Sequence, residues 1–385
     1  MRIAIDLSGV RKDMTGPMIY SSGFLLALSQ INNVDDFLVF TTPEVAESVR
    51  GKLTNNFYFH IITCSNLVWL RVLWQQFALP VYLKKFSADV LFAAFDLSPI
   101  WSQCPVVIGV RNPLPVRIKG GLNLKGRLHK FISYYSCRKA SMVFYPTQYA
   151  SKLLGDFMSV PIEKRRVVHH GTDTSLWMQK DENVESVLTT YNVKPNRYLL
   201  FVSNFYPYKN ADFLIDGFFE WCQKNKGINH KLVLVGSAPE IYKEYEQTLH
   251  DKVKELQLDN FVIFTGYIPR SHLSILYKQA SFFVLPTVLE TFGLPFVEAM
   301  ACGTPVICVE TEFARELCGD AAIYVLPDNI KSLADAMATI VDKPEVSKRM
   351  RQSGLERAKM FSWEREARET LELIKTVGKQ SIGTS

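Results

Sequence analysis

The chain has 385 residues, more than one α/β core of ordinary size organises, so two domains are expected. Its 48% hydrophobic and 21% charged residues exclude a largely disordered chain. A net charge of +6 is too small to argue for nucleic acid, and it suits a phosphorylated ligand or an anionic membrane surface. The seven cysteines, an odd number with no Cys-x-x-Cys pair, read as small core residues in a reducing compartment rather than as a disulfide or metal framework.

The first residues, Met1-Arg2-Ile3-Ala4-Ile5-Asp6, are expected to enter a strand directly, without a signal peptide. No run reaches the ~20 apolar residues of a membrane span, so a cytoplasmic protein is expected. Short apolar runs then alternate with helical periodicity, the pattern of parallel βαβ units. In the first half the expected strands are 2–6, 37–41, 57–62, 89–93, 106–110, 142–145 and 166–169. The expected helices are 18–30, 43–52, 71–85, 125–138 and 147–157. The polar segment 179–196 reads as a linker between a first domain, 1–178, and a second, 197–361. In the second domain the rhythm resumes, with strands at 199–202, 231–235, 262–264, 281–285 and 306–309 and helices at 210–223, 240–256, 270–279, 294–302 and 331–341. The tail from about Gly378 is expected to be disordered. The fold class is therefore α/β, with two Rossmann-like doubly wound domains facing across a cleft.

Open parallel sheets bind ligands at the carboxyl ends of their strands, where a loop feeds a helix N-terminus. One such junction stands out, running from Pro286 to Pro305. Pro295 suits the first turn of a helix, Gly303 its C-terminal cap, and Thr304-Pro305 its stop. The amide groups of Phe292, Gly293 and Leu294 would favour a diphosphate. Glu290 before the helix and Glu298 in its second turn offer carboxylates suited to paired sugar hydroxyls. A second junction, Ser203-Asn204-Phe205-Tyr206-Pro207-Tyr208-Lys209-Asn210, places Lys209 beside a helix start at Asn210, and the Val235-Gly236-Ser237 turn would abut the same pocket. A third, Thr15-Gly16-Pro17, is expected as a loop ahead of a helix from Met18.

The run Glu290 to Glu298, with Phe292-Gly293-Leu294-Pro295 and its continuation to Val306, closely resembles the donor-site motif of retaining glycosyltransferase family 4, the glycosyl transferases group 1, whose fold is GT-B. The resemblance implies that Glu298 binds the nucleoside ribose, that Glu290 contacts the donor sugar, and that amides around Phe292 to Leu294 assist. It implies that Lys209 neutralises the diphosphate, with Ser203 and Gly236 near the nucleotide and Gly16 in a loop over the phosphates. Asn204 stands where many members have Arg. Arg111-Asn112 stands where many have a His-Asp pair, so that Asn112 is the candidate for hydrogen bonds near the reacting sugar. His170-Gly171-Thr172-Asp173 resembles the family's Asn-Gly-Val-Asp turn, with Asp173 capping the turn or touching substrate. The helix 362–377 resembles the terminal helix that returns to the first domain.

The implied reaction is retaining, metal-independent hexosyl transfer from a nucleoside diphosphate sugar, with no cofactor. Catalysis would rest on Glu290, Lys209 and Asn112, and no Asp-x-Asp triplet occurs. The acceptor would be a saccharide or lipid-linked saccharide of cell-surface polysaccharide or lipopolysaccharide biosynthesis. The basic, apolar-interleaved stretch 117–139 reads either as a peripheral contact with the inner face of the membrane or as a solvated helix packing inward. A nucleotide-sugar epimerase and a catalytically silent nucleotide-sugar-binding subunit remain alternatives. A dinucleotide oxidoreductase is disfavoured, because no Gly-x-Gly-x-x-Gly follows strand 2–6.

Overall fold

The structure is a computed structural model that describes residues 1–10, 15–63, 68–112, 124–178, 182–225 and 229–382. The chain divides into two compact units, Met1–Gly171 with Ser362–Ser385, and Thr172–Phe361. The described part of the segment expected as a linker, 182–196, lies in the second unit, where Val184–Thr190 is a short helix that buries Val187 and Leu188.

In the first unit, β1 (Arg2–Asp6), β2 (Asp36–Thr41), β3 (Phe57–Ile61), β4 (Val90–Ala93), β5 (Val106–Gly109), β6 (Met142–Tyr145) and β7 (Arg165–Val167) form a sheet in the order β3-β2-β1-β4-β5-β6-β7. Every pairing is parallel. The central strands are buried on both faces, which is why they read as uninterrupted apolar runs. The helix Thr15–Ile31 packs against the terminal helix Trp363–Ile382, and Gly23 permits the approach: a Cβ there would stand 2.4 Å from the Trp363 ring. Two expectations are corrected here. Gly16 lies in the first turn of its helix, not in a loop before it. The tail beyond Gly378 continues the terminal helix to Ile382, because Gly378 packs on Met1 and Val90 while Lys375 pairs with the buried Asp35 at 2.7 Å. Of the basic stretch 117–139, residues 117–123 lie outside the described ones and the remainder belongs to the helix Leu124–Lys139.

In the second unit, β8 (Tyr198–Val202), β9 (Lys231–Val235), β10 (Val262–Gly266), β11 (Phe282–Leu285), β12 (Val306–Val309) and β13 (Ala322–Val325) take the order β10-β9-β8-β11-β12-β13, again all parallel. This is the 3-2-1-4-5-6 order of a doubly wound sheet, with its topological switch point between β8 and β11. Elements without a counterpart among those expected from sequence include the edge strand β13 and the helices Thr174–Met178, Glu312–Cys318 and Pro344–Ala358. Among the described residues, no helix is long and apolar enough to cross a membrane.

Candidate active site

In doubly wound sheets generally, the connections leaving the two strands of a switch point run to opposite faces and leave a crevice where ligands bind. Here the connection leaving β8, Ser203 to Asn210, and that leaving β11, Pro286 to Gly293, are bound together. Val288 N donates to Tyr208 O at 3.1 Å, Thr287 Oγ1 to Tyr208 O at 3.2 Å, and Asn210 Nδ2 to Pro286 O at 3.1 Å. Asn210, expected as a helix cap, occupies the cap position with left-handed backbone, φ 53°. Its amide is spent on Pro286 rather than on the helix Ala211–Lys224.

These bonds deliver Lys209 to Glu290. The ammonium and the carboxylate form an ion pair, with side chains only 11% and 13% exposed. In so dry a setting the pair is held much more tightly than on the surface, and either charge left alone would be costly. The two residues are 81 positions apart in sequence.

Past Glu290, Thr291 and Phe292 are buried, and the Phe292 ring packs edge-on against Phe361 at 5.6 Å. The Phe292 side chain is thus core, and its backbone alone is available to a ligand. Gly293 takes φ 95°, a left-handed value that a side chain would strain, and a Cβ there would meet Phe296 at 2.7 Å. The helix Leu294–Ala301 starts at once, with Pro295 in its first turn. Glu298, on this helix, is half-buried and accepts from the Tyr277 hydroxyl at 3.3 Å. Burial pushes its carboxyl up to about 7, against the opposing influence of Arg270 and the Tyr277 bond. The Arg270 guanidinium lies over the Trp177 ring, 5.0 Å from its centre, and Trp177 meets Tyr277 edge-on.

Gly236 has a steric reason as well. At φ 125° it lies against Ser203, and a Cβ would come 2.1 Å from the Ser203 carbonyl oxygen. The contact lets Phe205 N reach Ser237 O at 3.1 Å, and so fixes the start of the Lys209 loop. Asn204 accepts from the Tyr267 hydroxyl at 2.9 Å. Arg270, Tyr277, Trp177 and Tyr267 were absent from the residues picked out by motif. The signal that could have found them is positional: Tyr267 and Arg270 lie just past the carboxyl end of β10, next but one to the switch point.

Gly16 and Asn112 belong to the first unit. Gly16 is exposed, and among the described residues no atom lies within 4 Å of a Cβ built on it, so none of them requires glycine there. The backbone amides of Arg111 and Asn112 both point at the half-buried Asp96 carboxylate, at 2.7 and 3.4 Å. Arg111 turns inward. Its guanidinium lies 3.4 Å from the Tyr20 ring centre and 3.8 Å from Glu366, whose fully buried carboxylate also takes Gly171 N at 2.7 Å and His170 Nδ1 at 3.0 Å. The position where a His was expected by resemblance is therefore part of an internal ion cluster that anchors the terminal helix. Asp173 accepts from Leu176 N at 3.1 Å, the turn-capping alternative. Among the described residues, no group of three or more His, Cys, Asp or Glu could hold a metal ion.

The chain thus carries two doubly wound parallel sheets, the second with an acid-flanked glycine turn at its switch point, and the comparisons identify the class of protein as a glycosyltransferase. The "Glycosyltransferase Family 4" model matches residues 36–176 and the "Glycosyl transferases group 1" model residues 190–357. The chain belongs to glycosyltransferase family 4, is a glycosyltransferase, and has the GT-B fold. It is 25% identical over 357 residues to the O-antigen chain mannosyltransferase RfbU of Salmonella typhimurium, covering 90% of this chain and 92% of that one. In fold it is similar to sucrose-phosphate synthase from Thermosynechococcus elongatus, at 19% identity and TM-score 0.76 over the whole of both chains. It is also similar to HepE of Anabaena in complex with UDP and glucose, at 18% identity and TM-score 0.73 over 98% of this chain and all of that one.

Proposed function

We propose that the chain transfers a hexosyl residue from a nucleoside diphosphate sugar to a saccharide or lipid-linked saccharide acceptor, with retention. The products would build cell-surface polysaccharide or lipopolysaccharide at the inner face of the cytoplasmic membrane. The observation that carries this is the buried Lys209–Glu290 pair standing one turn ahead of the Gly293 helix start. The likeness to an O-antigen mannosyltransferase supports the acceptor class, and the likeness to a UDP-bound structure supports the donor class.

In this reading the entering diphosphate competes with Glu290 for the Lys209 ammonium. Glu290, released from the pair, accepts hydrogen bonds from the sugar hydroxyls, and the amides at Gly293 and Leu294 take the phosphate oxygens. As the bond from the anomeric carbon to the phosphate oxygen breaks, its electron pair goes to the departing diphosphate, and Lys209 meets the growing charge there. The acceptor hydroxyl oxygen bonds to the anomeric carbon on the same face, and its proton passes to the departing phosphate oxygen. Glu298 holds the ribose hydroxyls. Ser203, Asn204 and Gly236 shape the nucleotide pocket, and Phe292 contributes backbone only. Asn112 keeps the sugar-hydroxyl role that the resemblance assigns, and Gly16 would meet the diphosphate from the first turn of its helix rather than from a loop. Because protein cations and helix amides supply the positive charge, the reaction is proposed to need neither metal nor cofactor.

The test is release of nucleoside diphosphate from UDP-, GDP- and dTDP-hexoses, with and without a saccharide acceptor, in EDTA. Acceptor-dependent release undiminished by EDTA is expected. Conversion of the donor sugar without acceptor would favour the epimerase instead, and no turnover with any donor would leave only the silent-subunit alternative.

A further inference from the structure

The first unit carries a surface that sugar transfer does not use. The continuous helix formed by Val68–Leu73, the π segment Trp74–Ala78 and Leu79–Phe86 buries Val72, Leu79 and Leu83. It turns Trp69, Leu73, Phe77 and Val81 outward, at 53%, 47%, 70% and 52% exposure. A spacing of four drifts around a 3.6-residue helix, and the wider π turn takes back part of that drift. The four side chains therefore stay near one line. Lys84 and Lys85, both exposed, follow at its C-terminal end.

A second helix lies beside it. Val72, Leu97 and Ile132 share one small apolar cluster, which ties the first helix to Leu124–Lys139 through the loop between β4 and β5. Gln76 bonds Ser98 O and Ile100 N, each at 2.9 Å, and Ser136 Oγ donates to Ser98 O at 2.8 Å. The loop presents Trp101, 74% exposed, and the second helix presents Leu128, Phe131 and Tyr135. Arg127, Lys130 and Arg138 are exposed among them. A monomer in water rarely leaves so many large apolar side chains together.

Charge decides what covers them. Between Val68 and Lys139 the exposed charged side chains of the described residues are all basic, Lys84, Lys85, Arg127, Lys130, Arg138 and Lys139, and the sequence there holds only two acids. The two acids are spent internally: Asp89 on the Arg2 amide at 2.8 Å, Asp96 on Arg111 and Asn112. A second copy pairing through the same face would set like charge against like. An anionic bilayer satisfies both the apolar row and the charge, with indole rings at headgroup level and basic groups among the phosphates.

We propose that this face, built on Trp69, Leu73, Phe77, Val81 and Trp101 with the basic helix beside it, docks the protein on an anionic lipid bilayer. It extends the membrane reading of 117–139 to an element that the sequence marked only as an ordinary helix. It is independent of the transfer chemistry, because vesicle binding is measured without donor or acceptor. The experiment is flotation of the full chain with vesicles of phosphatidylcholine containing about 30% phosphatidylglycerol, against pure phosphatidylcholine. Binding to the anionic vesicles with a blue shift of tryptophan emission is expected. Trp69→Glu with Phe77→Glu should reduce it about tenfold or more, and Lys84→Glu with Lys85→Glu severalfold, with unchanged melting temperature and release of nucleoside diphosphate on a water-soluble acceptor. Three results would overturn the proposal: no binding to anionic vesicles, equal binding by the Trp69/Phe77 variant, or a dimer in solution that this variant converts to monomer. Lost donor turnover with intact vesicle binding would count against the transferase reading alone.

Discussion

Glu298 is the residue whose chemistry is most open to measurement. Its neutral form is favoured in the free protein up to about 7, well above an ordinary carboxyl. If it accepts from ribose hydroxyls, the ionised form binds the donor, so affinity should rise with pH until about 7 and then level off. A nucleotide-sugar diester is the probe, since its own phosphates do not titrate there. Between pH 6 and 8 the affinity should increase about tenfold, and Glu298→Gln should flatten the profile. A wild-type profile already flat would remove Glu298 from the ribose site. The sign for stability is the opposite. The folded state holds this proton more tightly than the unfolded one, so stability falls as pH rises from about 4.5 through 7.

Single residues were readable from the sequence to different depths. Glu290, Gly293, Glu298 and Lys209 are legible because glycine, proline and acid fall at positions a strand–loop–helix junction demands. That Lys209 and Glu290 pair is not legible, since 81 residues separate them and only the sheet order joins their loops. Gly236 reads as one glycine after a strand until the Ser203 carbonyl appears beside it. Arg111 shows why resemblance alone was insufficient: an Arg at that place could point anywhere, and the burial of Glu366 on a helix 255 positions later turns it inward.

At the scale of elements, buried parallel strands are the most legible feature. β1, β4, β5 and β6 lie within a residue of their expected ranges because both faces are apolar. β13 escaped notice because it is a four-residue edge strand with only Val325 fully buried. The terminal helix was expected to end near 377, and its last turns were hidden because what holds them, Met1, Val90 and Asp35, comes from the far end of the chain. Its packing gives a direct prediction. Gly23→Ala ordinarily favours a helix by up to ~1 kcal/mol. Here the new methyl meets the Trp363 ring, already packed on Tyr20, and should destabilise the first unit by about 1–3 kcal/mol. Urea titration measures it. A variant as stable as the wild type would mean that the two helices part easily.

The whole molecule divides its tasks between two sheets of the same topology class. The second keeps the 3-2-1-4-5-6 order and carries the acid-flanked turn and the Lys209–Glu290 pair. The first has a seventh strand, a returning helix with a buried ion cluster, and the basic apolar face. Charge asymmetry between segments is visible in sequence, but the apolar row on 68–86 is not, because the π segment that aligns it depends on backbone geometry.

The claim on which everything turns is that the Lys209–Glu290 pair opens to receive the phosphates and sugar of an activated hexose. Calorimetric titration of the wild-type chain and of Lys209→Met with UDP-, GDP- and dTDP-hexoses tests it most directly. One donor family should bind the wild type, and the Lys209→Met variant should lose about 10²-fold or more in affinity while still folding cooperatively. Equal affinity in both proteins would contradict it.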